Sequence, residues 1–146
     1  MDGISYHTGN ALDLDEVIRL YVDSTLGERR PVGDRETMRA MLAHANLVIT
    51  ARDGDRLVGI ARSMTDFVYV AYLSDLAVHK DHQRRGIGVE LIRRTREALA
   101  PGARIVLLSA PAAVEYYPRI GFTQHPSAWV LAADQPFPIE HKDPQP

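Results

Sequence analysis

Apolar positions in this chain recur in two rhythms. Leu14, Val17, Ile18, Tyr21 and Val22 return every three or four residues, which predicts a helix over about 13–24. Asp13 stands three positions before Glu16, an acidic variant of the capping box. Behind Asp34, Met38, Met41, Leu42 and Ala45 share one face of a second helix. Leu91, Ile92, Thr95 and Leu99 do the same in a third, over Gly86 to Leu99, which Pro101-Gly102 ends. Other stretches carry the strand signal. Ile4 to His7 is a short first strand. Leu47 to Ala51 and Leu57 to Met64 flank Asp53-Gly54-Asp55, a hairpin turn. Past a turn at Asp66, Phe67 to Val78 is aromatic and β-branched without proline. Its apolar residues occupy both parities, which predicts a central strand covered on both faces. Arg104 to Ser109 reads as a buried strand. Pro111 opens a short helix to about Ile120, stopped by Gly121. Phe122 to Gln124 and Trp129 to Ala132 read as a last pair of strands. The order β-α-α-β-β-β-α-β-α-β-β predicts an α/β fold: a mixed, mostly antiparallel sheet flanked by helices.

Composition narrows the class. At 146 residues and 45% hydrophobic, the chain suits one domain, placed at residues 1–135, with 136–146 an irregular tail. A formal net charge of -2 speaks against a nucleic-acid partner. The arginines at 84, 85, 93, 94 and 96 therefore need a local explanation. The absence of cysteine excludes disulfides, thiolate metal sites and cysteine nucleophiles. The six histidines lack helical ligand spacing, so no metal is expected. No basic stretch precedes an apolar run at the start, and no segment approaches about 20 apolar residues. The expectation is a cytoplasmic protein without membrane contact.

The densest chemical signal is Gln83-Arg84-Arg85-Gly86-Ile87-Gly88, joining the long strand to the third helix. Glycine lets backbone approach a ligand closely. The first amides of a helix have no internal partner, and the helix dipole makes that end attractive to anions. Arg84 and Arg85 add charge suited to a diphosphate. The dinucleotide fingerprint needs three glycines and the triphosphate loop needs a lysine after its second glycine; neither is present. A pyrophosphate cradle and an ordinary helix start with solvated arginines both fit the hexapeptide taken alone.

Four segments together decide between them. Leu57-Val58-Gly59, Asp75 to His79, Gln83 to Gly88, and Ala113 to Phe122 with its Tyr116-Tyr117-Pro118 core occur in this order and spacing. In this the chain resembles the GNAT superfamily of acyl-CoA-dependent N-acyltransferases. The resemblance implies a bulged fourth strand that splays from the fifth, and acetyl-CoA as co-substrate lying in the opening. It implies cofactor contacts from Leu76, Ala77, Val78, Gln83, Arg84, Arg85, Gly86, Ile87, Gly88, Val89, Ser109 and Tyr117. A bulge would aim a strand amide at the thioester oxygen.

The same resemblance makes Tyr117 the acid that protonates the leaving thiolate, although it could instead simply pack. Asp75 is a candidate base; the alternative is a structural carboxylate satisfying an arginine. Glu28, Phe67, Tyr69 and Tyr72 are candidates to line the acceptor site, against readings as surface charge and core. His79 reads as polar loop filler and Trp129 as packing. Ser109 lacks the Gly-x-Ser-x-Gly elbow of an acyl-serine enzyme, so direct attack by an amine of a small molecule or peptide is the expected route. A non-catalytic acetyl-CoA sensor is the alternative. Family members often pair as homodimers, and the last strands or the tail could mediate it here.

Overall fold

The computed structural model describes residues 3–137. They fall into two compact units, one through Ala110 and one from Pro111. The first holds a five-stranded sheet in the order β1-β2-β3-β4-β5: Ile4–Thr8, Leu47–Asp53, Arg56–Thr65, Val70–Val78 and Arg104–Val106. The first four strands are antiparallel and β5 runs parallel to β4. Helices α1 (Leu14–Asp23), α2 (Arg35–Ala43) and α3 (Ile87–Glu97) cover it. Among its described residues the second unit contains one short helix, α4 (Tyr116–Arg119), after a 3-10 turn at Pro111–Ala113.

Local chemistry accounts for most element ends. Asp34 Oδ1 accepts the Thr37 amide at 3.1 Å and caps α2. Asp13 caps α1 through the Asp15 amide, but no capping box closes there. Glu16 instead grips Arg52 of β2 through two bonds of 3.0 and 3.1 Å, fastening helix to sheet. The β2–β3 hairpin turns on Gly54 and Asp55, with Gly54 at φ 61, where a side chain would be strained.

The two sheet faces are packed by different helices. On one, Leu14, Val17, Leu20 and Tyr21 of α1 and Met38 and Leu42 of α2 meet Val48, Leu57, Ile60 and Ala77. On the other, α3 lies directly against β3. A β-carbon on Gly59 would stand 3.1 Å from both Ile87 Cγ2 and Leu91 Cδ1. Removing a side chain here is what permits the close approach. Leu91 is fully buried on this face, worth about 1.5–3 kcal/mol.

Three strand expectations are corrected. β4 begins at Val70 rather than Phe67. Asp66 Oδ1 accepts the amides of Val68, Tyr69 and Val70, so a tight turn captures the donors that a strand would need. Phe67 sits in that turn at φ 69. β5 is short and mostly exposed, not a buried strand to Ser109: Arg104 and Val106 are exposed and Ile105 half-buried, and it pairs with just Val70, Ala71 and Tyr72. No strand forms over 122–124 or 129–132; neither stretch has a ladder partner, and an isolated hairpin gains too little to persist. Trp129 is 93% exposed rather than packed.

Candidate functional site

β4 leads into α3 through a short, heavily braced connection. The His79 amide donates to Val58 O at 2.8 Å, closing the β3–β4 ladder. A 3-10 turn, Lys80–His82, follows. The His82 ring, nearly buried, donates from Nε2 to Asp53 Oδ2 at 2.9 Å and pins this turn to the β2–β3 hairpin. His79 is also buried, and its Nδ1 accepts the Asp81 amide at 3.1 Å. Gln83 Nε2 reaches back to Val78 O at 3.0 Å. Above these braces the chain makes two left-handed residues, Arg84 at φ 66 and Gly86 at φ 81, and enters α3.

The start of α3 is bare. Gly86 is its N-cap and offers no side-chain acceptor. The first intrahelical bond runs from the Glu90 amide to Gly86 O at 3.0 Å, so the amides of Ile87, Gly88 and Val89 have no partner within the helix. Nothing lies within 4 Å of where a Gly86 β-carbon would be. Three outward amides behind an open glycine, at the positive end of an 11-residue helix, suit an anion. Among the described residues Arg84 and Arg85 make no ion pair and are exposed. Two further arginines of the basic cluster are accounted for locally. Arg93 and Arg94 both bind Glu90, which is held down to about 2 by their hydrogen bonds. Arg94 also lies 4.6 Å over the Tyr6 ring.

β4 itself opens toward this cradle. Arg62 pairs with Asp75 and Ser63 with Leu73, which leaves Ser74 as an extra residue: a bulge. The bulge exchanges the faces of the strand. Leu73 shares a face with Ser63, whereas Asp75 shares the opposite face with Arg62. Burial nonetheless alternates without a break along β4: Ala71, Leu73, Asp75 and Ala77 are buried and the residues between them half-buried, so the buried positions face one side before the bulge and the other side after it. Beyond the bulge, the His79-to-Val58 bond and the Gly59–Val78 register turn the main chain of Ala77 toward β3. Leu76 and Val78, one residue to either side, direct their N–H and C=O the other way. That is the side β5 has left, since it pairs with β4 only as far as Tyr72. The free edge of β4 and the bare end of α3 therefore adjoin.

At the bulge lies a buried charge cluster. The Asp75 carboxylate is inaccessible to solvent. Its Oδ2 accepts from Tyr21 Oη and from Arg62 Nε, each at 2.5 Å, and its Oδ1 accepts from Arg30 Nε at 2.6 Å. Burial by itself would raise the Asp75 carboxyl. The Arg62 charge and the bonds from Arg62, Tyr21 and Arg30 outweigh it and hold the group below its usual range. Tyr21 is driven the other way, by burial first and then by the neighbouring carboxylate. A carboxylate so occupied is poorly placed to take a proton.

A family model for the acetyltransferase (GNAT) domain matches residues 27–131. The chain belongs to the GNAT acetyltransferase family. An uncharacterized N-acetyltransferase of Porphyra purpurea is 29% identical over 112 residues, 71% of this chain; the chain spans 62% of that relative's length. A GNAT-family protein of Xanthomonas campestris pv. campestris shares the fold at TM-score 0.68 and 26% identity, over 86% of this chain and 88% of its own. The fold also matches an aminoglycoside N-acetyltransferase in complex with CoA, at TM-score 0.69 and 16% identity, over 90% of this chain and 95% of that one.

Within this GNAT domain, the sequence-predicted residues divide by location. Gln83 to Val89 form one continuous element, with Leu76 and Val78 at the adjoining edge. Ile87 differs from its neighbours: its side chain is core while its amide faces out. Ser109 lies past β5, half-buried. Glu28 is exposed on a 3-10 turn, Leu26–Arg29, between α1 and α2. Tyr72 is half-buried on β4, whereas Phe67 and Tyr69 stand 39% and 66% exposed on the preceding turn. Tyr117 belongs to the second unit. There its ring packs edge-on against Tyr116 and Phe122, with centroids 5.2 and 5.4 Å away. Burial, and then Tyr116, pushes its phenol up, so it stays protonated at neutral pH. Sequence reasoning missed Tyr21, Arg30 and Arg62. A charged residue inside each of two adjacent apolar strands, Arg62 and Asp75, was the available signal. Among the described residues no helix is long and apolar enough to cross a membrane.

Proposed function

We propose that this chain is an N-acetyltransferase that moves the acetyl group of acetyl-CoA to a primary amine of a small molecule or peptide. The observation that carries the reading is the bare N-terminus of α3, opened by Gly86, adjoining the free edge of β4. A fold neighbour is known with CoA, which supports the same ligand here. The residues present suit that ligand. The amides of Ile87, Gly88 and Val89 would hold the diphosphate, with Arg84 and Arg85 adding charge. The main-chain groups of Leu76 and the amide of Val78 would pair with the amide-bearing arm, satisfying groups left over by the splay, while the Val78 carbonyl is held by Gln83. When bound, acetyl-CoA supplies a thioester open to attack by an amine.

The chain's own residues then divide the work. The β4 edge orients the acyl group and offers an amide near its oxygen. Tyr117, held protonated, donates to the departing sulfur. Asp75 does not take the amine's proton; it organises the bulge by anchoring Arg62 and Arg30. The bond from amine nitrogen to acyl carbon forms as the carbon–sulfur bond breaks; the proton lost by the amine leaves to solvent, and Tyr117 regains one from solvent.

The test is a thiol-release assay with acetyl-CoA across polyamines, amino acids, aminoglycosides, arylamines and peptide N-termini. Thiol release above the amine-free rate for at least one class is expected. Tyr117→Phe is expected to lower kcat by about 10²-fold or more with little change in acetyl-CoA affinity. Unchanged kcat would remove the acid role. Tight acetyl-CoA binding with no release across the panel would favour a domain that holds the thioester without chemistry.

A further inference from the structure

We propose, resting on the reading just given, that Arg30 is a positioning residue that fixes the β4 bulge and thereby the aim of the strand-edge groups used in acetyl transfer. The bulge creates the requirement. Ser74 has no opposite residue on β3, so its carbonyl needs a partner from elsewhere. Arg30 supplies one from 44 positions away: Nη2 donates to Ser74 O at 2.8 Å. Its Nε donates to Asp75 Oδ1 at 2.6 Å. A third bond, from Nη1 to Arg29 O at 2.8 Å, ties the same guanidinium to its own loop. One planar group thus joins the segment between α1 and α2 to two consecutive residues of the bulge. A planar fork can serve both acceptors at once; a single ammonium on a flexible stem cannot.

Arg62 touches the same pair from the core side, through Nε to Asp75 and Nη2 to Ser74 Oγ at 3.0 Å. It also holds Met41 O at 2.9 Å, and its side chain is only 7% exposed. Arg62 is therefore part of the packing between α2 and the sheet. Arg30 is 22% exposed and follows the 3-10 turn, outside any helix or strand. Its removal leaves the core residues in contact with one another. Of the two arginines on the bulge, it is the one whose substitution separates positioning from folding.

Arg30→Lys keeps a cation beside Asp75 but removes the fork, and Arg30→Met removes both. Three readouts decide the matter. In amide NMR spectra of the protein alone, the cross-peaks of Ser74, Asp75 and Leu76 are expected to shift or broaden in both variants, with those of α3 unmoved. CoA affinity by calorimetry is expected within about threefold of wild type. In thiol release with the best acceptor, Arg30→Lys is expected to lose about tenfold or more in kcat, in line with the cost of small misplacements. Unmoved bulge cross-peaks in both variants would overturn the proposal. So would full turnover by Arg30→Lys, or a turnover loss matched by equal losses in melting temperature and CoA affinity. Failure of the wild-type protein to bind CoA or to release thiol would instead sink the acetyltransferase reading, and the NMR arm would still decide whether Arg30 holds the bulge.

Discussion

The two ends of β4 are built from different materials. At the Val78 end the candidate site is almost all main chain: amides of α3, the edge groups of Leu76 and Val78, and an absence of side chain at Gly86. At the Ser74 end it is almost all side chain, with Tyr21, Arg30 and Arg62 converging on one buried carboxylate. A main-chain site depends on shape. It tolerates the loss of a nearby charge but not the gain of a methyl group. A side-chain cluster depends on charge balance. Its core side, at Arg62, does not tolerate the loss of a partner, and where Arg30 serves two acceptors it needs the planar fork as well as the charge.

That contrast can be broken at three points. The largest effect is expected from Arg62→Met, which leaves Asp75 buried with one guanidinium fewer. Unfolding free energy is expected to fall by about 3–5 kcal/mol, read by urea titration. A loss below about 1 kcal/mol would mean that charge balance at the bulge matters little. The next is a pH dependence. The folded-state value of Asp75 lies below its ordinary 3.8, so the native state binds fewer protons than the unfolded chain in that window. The stabilisation is complete above the ordinary value and is lost as pH falls through the folded one. The urea midpoint should therefore hold steady from neutral pH to about 5 and drop below about 4. Asp75→Asn should lessen that slope without abolishing it, because Glu16, held below its usual range by its bonds to Arg52, acts with the same sign. An unchanged slope would count against an ionised, engaged Asp75. The smallest effect is expected from Arg93→Gln on α3, whose pairs with Glu90 and Glu97 are exposed. Neither melting temperature nor CoA affinity should move measurably; a clear loss of affinity would show that charge, not only shape, governs the cradle.

The same contrast explains what could be read from the chain. A main-chain anion site needs its glycines and its strand-to-helix junction within one short segment, so Gln83 to Gly88 was visible as it stood. The helices over α1, α2 and α3 were legible for a similar reason, since period and caps are local. Asp75 was visible as a carboxylate in an apolar strand, but its partners come from three other segments and depend on register. The Ser74 bulge shifts that register by one residue, and no local pattern announces it. The turn at Asp66 hid inside a strand-like run because one side-chain oxygen there takes three amides. Phe122 to Gln124 and Trp129 to Ala132 had strand composition without a strand to pair with, and composition does not report partners.

The central claim is that main-chain amides behind Gly86 hold the diphosphate of CoA. Calorimetric titration of CoA into wild type and Gly86→Val tests it most directly. The valine adds a side chain at φ 81, a strain of about 1–3 kcal/mol, small enough for circular dichroism to verify a folded variant. Wild type is expected to give saturable heat at one site, and the folded variant none. Absence of heat with wild type, or equal affinity in the two proteins, would contradict the account.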